Sequence, residues 1–223
     1  MSNGAFGSNR VAVTQDGRTW AARTRRAGAG YDCMAWGGGV FITMQAGTGC
    51  DRSFDDGNTW LPQDSVPARD WVANPVNPYP PYSGSSYAGI AYGGGKFCAV
   101  ASNISATTDD GGVNWRKGAM PSSGYGAVAH NGTIFCAMKG GTNLCATSAD
   151  GQTWTQRIMA AVGNWGSIAY GAGLFVAVGY SGGSPIQTSP DGVTWTERTA
   201  GGLNYKSVVW NRDHFVAIGY GSA

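Results

Sequence analysis

Hydrophobic and polar positions alternate with period two along most of this chain, in short runs that end at glycine-rich breaks. The clearest runs are YDCMAWGGGVFITM (31–44), YAGIAYGGGKFCAV (87–100), YGAVAHNGTIFCAM (125–138), WGSIAYGAGLFVAV (165–178) and YKSVVWNRDHFVAI (205–218). Alternation puts every second side chain on one face of a strand, and a short Gly- or Asn-containing break between two such runs predicts a hairpin. Each copy therefore predicts two antiparallel strands, A and B.

A second motif falls between these hairpins: TQDGRTW (14–20), SFDDGNTW (53–60), TTDDGGVNW (107–115), TSADGQTW (147–154) and TSPDGVTW (188–195). Its core is Ser/Thr-x-Asp, then Gly, then Trp. Asp and Ser/Thr side chains satisfy local backbone N–H groups, and Gly supplies a positive φ. The motif predicts a tight turn joining two further strands, C and D, with the Trp opening strand D. Four strands recurring about every 40 residues are the signature of propeller blades.

These turns resemble the Asp-box (BNR) repeats of sialidases and related β-propellers, over nearly the whole chain. The resemblance implies an all-β fold, a single five-bladed β-propeller spanning 1–223 with four-stranded antiparallel blades. The ring would close by N-terminal strands, around Val11 to Arg23, joining the C-terminal hairpin Tyr205 to Tyr220. It implies a structural role for Asp16, Trp20, Asp55, Trp60, Asp109, Trp115, Asp150, Trp154, Asp191 and Trp195. The likeness to sialidases is in the repeat motif alone. That family uses six blades, an arginine triad, a Tyr–Glu nucleophile pair, an Asp acid and an Arg-Ile-Pro motif. This chain lacks the Arg-Ile-Pro motif, and its one glutamate is Glu197.

The repeat form also resembles the short BNR repeats of bacteriophage virion proteins. It implies a virion location with synthesis in the host cytoplasm, several copies in a larger assembly, and other virion proteins or a surface glycan as partners. Small five-bladed lectins of the tachylectin type are similar in size and blade number.

Composition narrows the field. A net charge of +2 argues against a nucleic-acid or anionic-membrane partner. No apolar run approaches the roughly 18 residues of a membrane span, and MSNGAFGSNR lacks the apolar stretch of a signal peptide. Five cysteines align with small apolar positions of the repeat: Cys98 and Cys136 with Ile42, Val176 and Val216; Cys50 and Cys145 with Val11, Ile104 and Ile186; Cys33 with Gly89, Ala127, Ser167 and Ser207. They read as core residues, not as disulfides or metal ligands. His130 aligns with Trp36, Tyr92, Tyr170 and Trp210 and reads as a packed ring, and neither it nor His214 has further ligands at a metal spacing. No cofactor motif is present, and neither a metal site nor a catalytic residue is expected.

Glycoside hydrolysis needs two facing carboxyl groups. Seven of the 13 acidic residues lie in the Asp-boxes, leaving Asp32 and Asp70 as the one pair that could meet. Two solvated surface acids is the simpler reading, so a glycosidase is the alternative and a non-enzymatic module the expectation.

Two features are candidates for binding. From box Trp to the next strand-A aromatic the chain advances 10 or 11 residues, but from Trp60 to Tyr87 it advances 27. This insertion, 61–85, holds six of the nine prolines together with Arg69, Asp70, Trp71, Tyr79 and Tyr82. Proline stiffens a loop and lowers the entropic cost of presenting aromatics. The second is the set Tyr31, Tyr87, Tyr125, Trp165 and Tyr205, which opens strand A in every repeat. Grouped at one mouth of a ring they could stack on a glycan; the competing reading is packing between blades. The expected function is a binding or structural module of a phage tail, fibre or capsid surface, with a soluble glycan-binding lectin as an alternative.

Overall fold

A computed structural model describes residues 10–24, 31–45, 50–63, 76–77, 88–180, 186–199 and 203–221. Every regular element among them is a β-strand, and every strand pairing is antiparallel. The chain opens with a hairpin of β1 (Arg10–Val13) and β2 (Ala21–Thr24). Sheet 1 follows, ordered β3 (Tyr31–Gly37), β4 (Val40–Gln45), β5 (Cys50–Ser53), β6 (Leu61–Gln63). Next in the chain is a short strand, β7 (Val76–Asn77). Sheet 2 contains β8 (Gly89–Gly93), β9 (Lys96–Ala101), β10 (Ile104–Thr108) and β11 (Trp115–Ala119). Sheet 3 contains β12 (Tyr125–His130), β13 (Phe135–Lys139), β14 (Thr142–Ser148) and the first part of β15 (Thr155–Gly171). The rest of β15 begins sheet 4, followed by β16 (Leu174–Tyr180), β17 (Ile186–Ser189) and β18 (Thr196–Arg198). A second hairpin, β19 (Asn204–Trp210) and β20 (Phe215–Tyr220), ends the described chain.

The core lies between sheets. Val40, Ile42 and Met44 of sheet 1 meet Phe97, Ala99 and Trp115 of sheet 2. Cys98 and Val100, alternate residues of β9, point the other way and meet Tyr125, Phe135 and Trp154 of sheet 3. Cys136 and Met138 then meet Phe175, Ala177 and Trp195 of sheet 4, and Val176 and Val178 meet Val208 of β19. Period-two alternation thus covers both faces of each central strand, which explains why strand B reads as a nearly continuous apolar run. The innermost strands contact one another in chain order: β3 with β8, β8 with β12, β12 with β15, and β15 with β19.

Two connections differ from the sequence expectation. β15 runs unbroken from the outer edge of sheet 3 to the inner edge of sheet 4, where a loop was expected between strands D and A. Gln187, fully buried, holds this crossing by accepting from the Ala160 N–H and donating to the Ala161 carbonyl. Within the 61–85 insertion, Leu61–Gln63 is strand D of sheet 1, and Val76–Asn77 pairs with Arg116 and Trp115 as a fifth, outermost strand of sheet 2. The described parts of that segment are thus the outermost strands of sheets 1 and 2. Among the described residues no strand pairing joins β1 or β2 to β19 or β20. β1–β2 and β19–β20 are separate two-stranded sheets.

Candidate functional site

Each Asp-box closes in the same way. The Ser or Thr hydroxyl donates to the Asp carboxylate and accepts from the box Gly N–H, while the carboxylate accepts the backbone N–H groups that follow. In the fourth box Ser148 Oγ lies 2.9 Å from Asp150 Oδ1, Gly151 N is 2.7 Å from Ser148 Oγ, and the amides of Gln152 and Thr153 are both 2.8 Å from Asp150. Asp16, Asp55 and Asp191 repeat the arrangement. Donated hydrogen bonds favour the charged carboxylate. The Thr19, Arg18 and Thr14 donors bring Asp16 down to about 2. Asp55 is lowered by Thr59 and Ser53, and Asp191 by Thr194, Val193 and Ser189. At Asp110 and Asp150 burial pulls upward, but the donated bonds outweigh it and the shift is again downward.

The third box corrects the sequence alignment by one residue. Its turn is held by Thr108 and Asp110, not by Asp109. Asp109 instead pairs with Arg116 at 3.0 Å on the surface. Position three before the box hydroxyl is therefore Ser105, not Ile104. Its hydroxyl donates to the Gly151 carbonyl of the next sheet at 2.7 Å and accepts from the Trp154 indole at 3.0 Å. Cys145 occupies the same position and donates to the Gly192 carbonyl at 3.7 Å. Cys50, Cys98, Cys136 and Cys145 are all buried thiols, as the alignment suggested, but Cys145 and Cys98 also bridge sheets through Sγ. Burial pushes the Cys50 thiol up to about 12, so it is not a nucleophile.

The Trp residues are graded by their neighbours. Trp115 is 0% exposed, Trp154 9% and Trp195 8%; Trp60 is half-buried and Trp20 is 61% exposed. The indoles of Trp60, Trp154 and Trp195 donate to the carbonyl of their own box glycine.

Of the strand-A aromatics, Tyr125, Trp165 and Tyr205 have described side chains. Tyr125 is 2% and Trp165 4% exposed, and the Trp165 indole donates to the Thr142 carbonyl at 2.9 Å. Tyr205 is half-buried against Val178 and its neighbours. The Tyr125 and Trp165 rings fill the gaps between sheets. The Tyr31 and Asp32 side chains, Tyr87, and Arg69, Asp70, Trp71, Tyr79 and Tyr82 of the insertion lie outside the described residues, and so does the Asp32–Asp70 pair.

At the opposite end of strand A the sequence held a signal that its motifs did not reveal. Trp36, Tyr92, His130, Tyr170 and Trp210 each rest on the strand-B Phe of their own sheet. Tyr92, His130 and Trp210 also lie directly over Gly37, Gly93 and Gly171 of the preceding sheet, where a Cβ would overlap the ring. The dipeptides Trp-Gly, Tyr-Gly and Tyr-Gly at these positions carry that requirement. Burial and Lys96 lower the pKa of His130, so it packs as a neutral ring. Among the described residues no group of three or more His, Cys, Asp and Glu could hold a metal ion.

On the face carrying the opposite loops, described connections are tied to one another. Lys139 Nζ reaches Ser122 Oγ at 3.0 Å, the Tyr125 N–H donates to the Ser102 carbonyl, and Lys206 Nζ sits 3.4 Å from the Tyr180 ring centroid. Two exposed apolar side chains, Ile158 and Val162, project from the outer edge strand β15.

No protein-family model matches the sequence, and no curated protein does. Solved structures do match. Virginiamycin B lyase from Staphylococcus aureus, solved as a catalytically inactive form with quinupristin, superposes with a TM-score of 0.71 at 14% identity, over 92% of this chain and 68% of that one. A streptogramin B lyase gives 0.72 at 13% identity, over 94% of this chain and 69% of that one. YCF48 bound to the D1 peptide gives 0.61 at 17% identity, over 86% of this chain and 60% of that one. These are β-propellers, and the protein has a β-propeller fold. The chain spans about 60% of the YCF48 chain that it matches. At such identities the likeness is one of fold alone.

Proposed function

We propose that this protein is a non-catalytic binding module of a bacteriophage particle, a tail, fibre or capsid-decorating component that attaches to a partner virion protein or a surface glycan. Its five repeats form five blades, the fifth assembled from β19–β20 and β1–β2. The observation that carries the reading is the engagement of the recurring acidic residues in architecture: Asp16, Asp55, Asp110, Asp150 and Asp191 each hold their own turn. What varies between repeats is the opposite set of connections between strands B and C, with AGTG (46–49), SN (102–103), GG (140–141) and SGGSP (181–185). A rigid frame with variable loops suits recognition. The peptide held by the YCF48 propeller supports a protein partner, and the form of the repeats supports the virion. The test is immunodetection in purified phage particles from the source. The module should be present at a fixed copy number per particle. Its absence from particles, with the protein free in the lysate, would rule out the virion assignment.

A further inference from the structure

We infer that β1 is the strand that docks on the free edge of β20, within the same chain, with Phe215 opposite Thr14, Val216 opposite Val13, Ala217 opposite Ala12 and Ile218 opposite Val11. The inference rests on the five-blade reading and gives it an atomic register. In all four complete sheets the Phe that opens strand B lies opposite the hydroxyl residue that opens the Asp-box: Phe41 with Ser53, Phe97 with Thr108, Phe135 with Ser148 and Phe175 with Ser189. The offset never varies, although the intervening loops differ in length. Applied to the last hairpin, it sets Phe215 against Thr14.

The box glycines point to the same pairing independently. Three of the five sit against two residues of the preceding sheet that face one another across strands B and C. Gly112 meets Ile42 and Arg52, Gly151 meets Cys98 and Thr107, and Gly192 meets Cys136 and Thr147. All three couples are cross-strand partners. Gly57 meets Val13 and, within its own box, Trp60, but no second described residue of the preceding hairpin. Its missing neighbour is the residue opposite Val13, which the register names as Val216. An open cleft of about 630 Å³ borders Val13 on this side of sheet 1, lined also by Asp16, Arg23, Phe41 and Asp56. Gly17, the fifth, has nothing within 4 Å; its equivalents in sheet 4 are Val176 and Thr188.

Exposure marks the same two surfaces. Met44, Val100, Met138 and Val178 are all 0% exposed, and Ile218, at the same position, is 65% exposed. Val216 is 48% exposed, whereas Ile42, Cys98 and Cys136 are 0%. Trp36, at the far end of the row, is 59% exposed. β1–β2 is already seated on sheet 1, with the Arg23 guanidinium 3.1 Å from Asn58 Oδ1, and β19–β20 is seated on sheet 4. Two halves tethered by one chain meet at an effective concentration of the order of millimolar, so closure within a chain outcompetes pairing with a second copy.

Engineered cysteine pairs in the full chain test the register. Val11→Cys with Ile218→Cys, and separately Ala12→Cys with Ala217→Cys, sample both kinds of antiparallel pair. At least one should form an intrachain disulfide in most molecules under mild oxidation, mapped by peptide mass analysis of the monomer. A disulfide only between chains overturns the inference. A bond formed instead by Val13→Cys with Ile218→Cys keeps the ring but overturns the register. Hydrogen exchange on the unmodified protein guards against variants that fail to fold. β20 amides should exchange as slowly as those of β16; free exchange of β20, with no intrachain bond in any pair, overturns the five-blade reading itself.

Discussion

The carbonyl oxygen of Gly151 accepts the hydroxyl proton of Ser105 at 2.7 Å across the interface between sheets 3 and 2. The same hydroxyl receives the Trp154 indole N–H. One small side chain thus serves two buried groups of the neighbouring Asp-box and locks the spacing of the two sheets. Ser105→Ala removes both inter-sheet bonds and leaves the Trp154 indole and the Gly151 carbonyl paired only within their own box, at an expected cost of about 0.5–1.5 kcal/mol, read as a lowered urea midpoint with an unchanged m-value. Ser105→Cys, which copies Cys145, should recover part of the loss.

Acid should unfold the protein through its turns. The five turn-holding carboxylates have folded-state pKa values below the ordinary carboxylate value, Asp16 at about 2. A lowered folded pKa means that the unfolded chain binds the proton first. The stabilisation is complete above the ordinary carboxylate value of 3.8 and is lost as pH falls from there toward about 2. His130, held neutral by burial, adds a smaller loss that begins as pH drops below 6.5. Chemical denaturation between pH 8 and 2 should show a shallow decline followed by a steep one, and His130→Phe should remove the shallow part.

Much of this architecture was readable because the repeats align on residues with local duties. The Ser/Thr-x-Asp-x-Gly-Trp spacing reports a turn that is complete within itself, so it identified the boxes directly. The third box was ambiguous because Thr107, Thr108, Asp109 and Asp110 offer two frames. Cross-strand pairing of Phe97 with Thr108 decides between them, and that is a long-range fact. β15 was hidden for a related reason: Gly163 and Gly166 resemble a loop, but buried Gln187 supplies partners for the crossing backbone. The burial of Tyr125 and Trp165 was not legible, because nothing in either residue announces which side a neighbouring sheet will cover.

Glycines divide into those with a steric duty and those without. Gly93→Ala places a methyl group in the imidazole of His130, and Gly171→Ala places one in the indole of Trp210. Each should destabilise by about 1–3 kcal/mol through overpacking between sheets. Gly140 has open space around it and no positive φ, so Gly140→Ala should stay within about 0.5 kcal/mol of the parent. Thermal melts of the three variants separate crowding from a general intolerance of alanine.

Ala172 stands where its counterparts in sheets 1 and 2 have glycine. Its φ of 47° matches the 57° of Gly38 and the 58° of Gly94 at the same point of the strand A–B turn. A Cβ in the left-handed region costs roughly 1–2 kcal/mol, and glycine returns part of that gain as entropy of the unfolded chain. Ala172→Gly is therefore expected to stabilise the protein modestly, by about 0.5 kcal/mol. Because the turn is local and β15 and β16 are already paired up to Gly171 and Leu174, the gain should appear as slower unfolding of sheet 4. The same or faster unfolding would mean that neighbouring contacts, not the local backbone, hold Ala172 in this conformation.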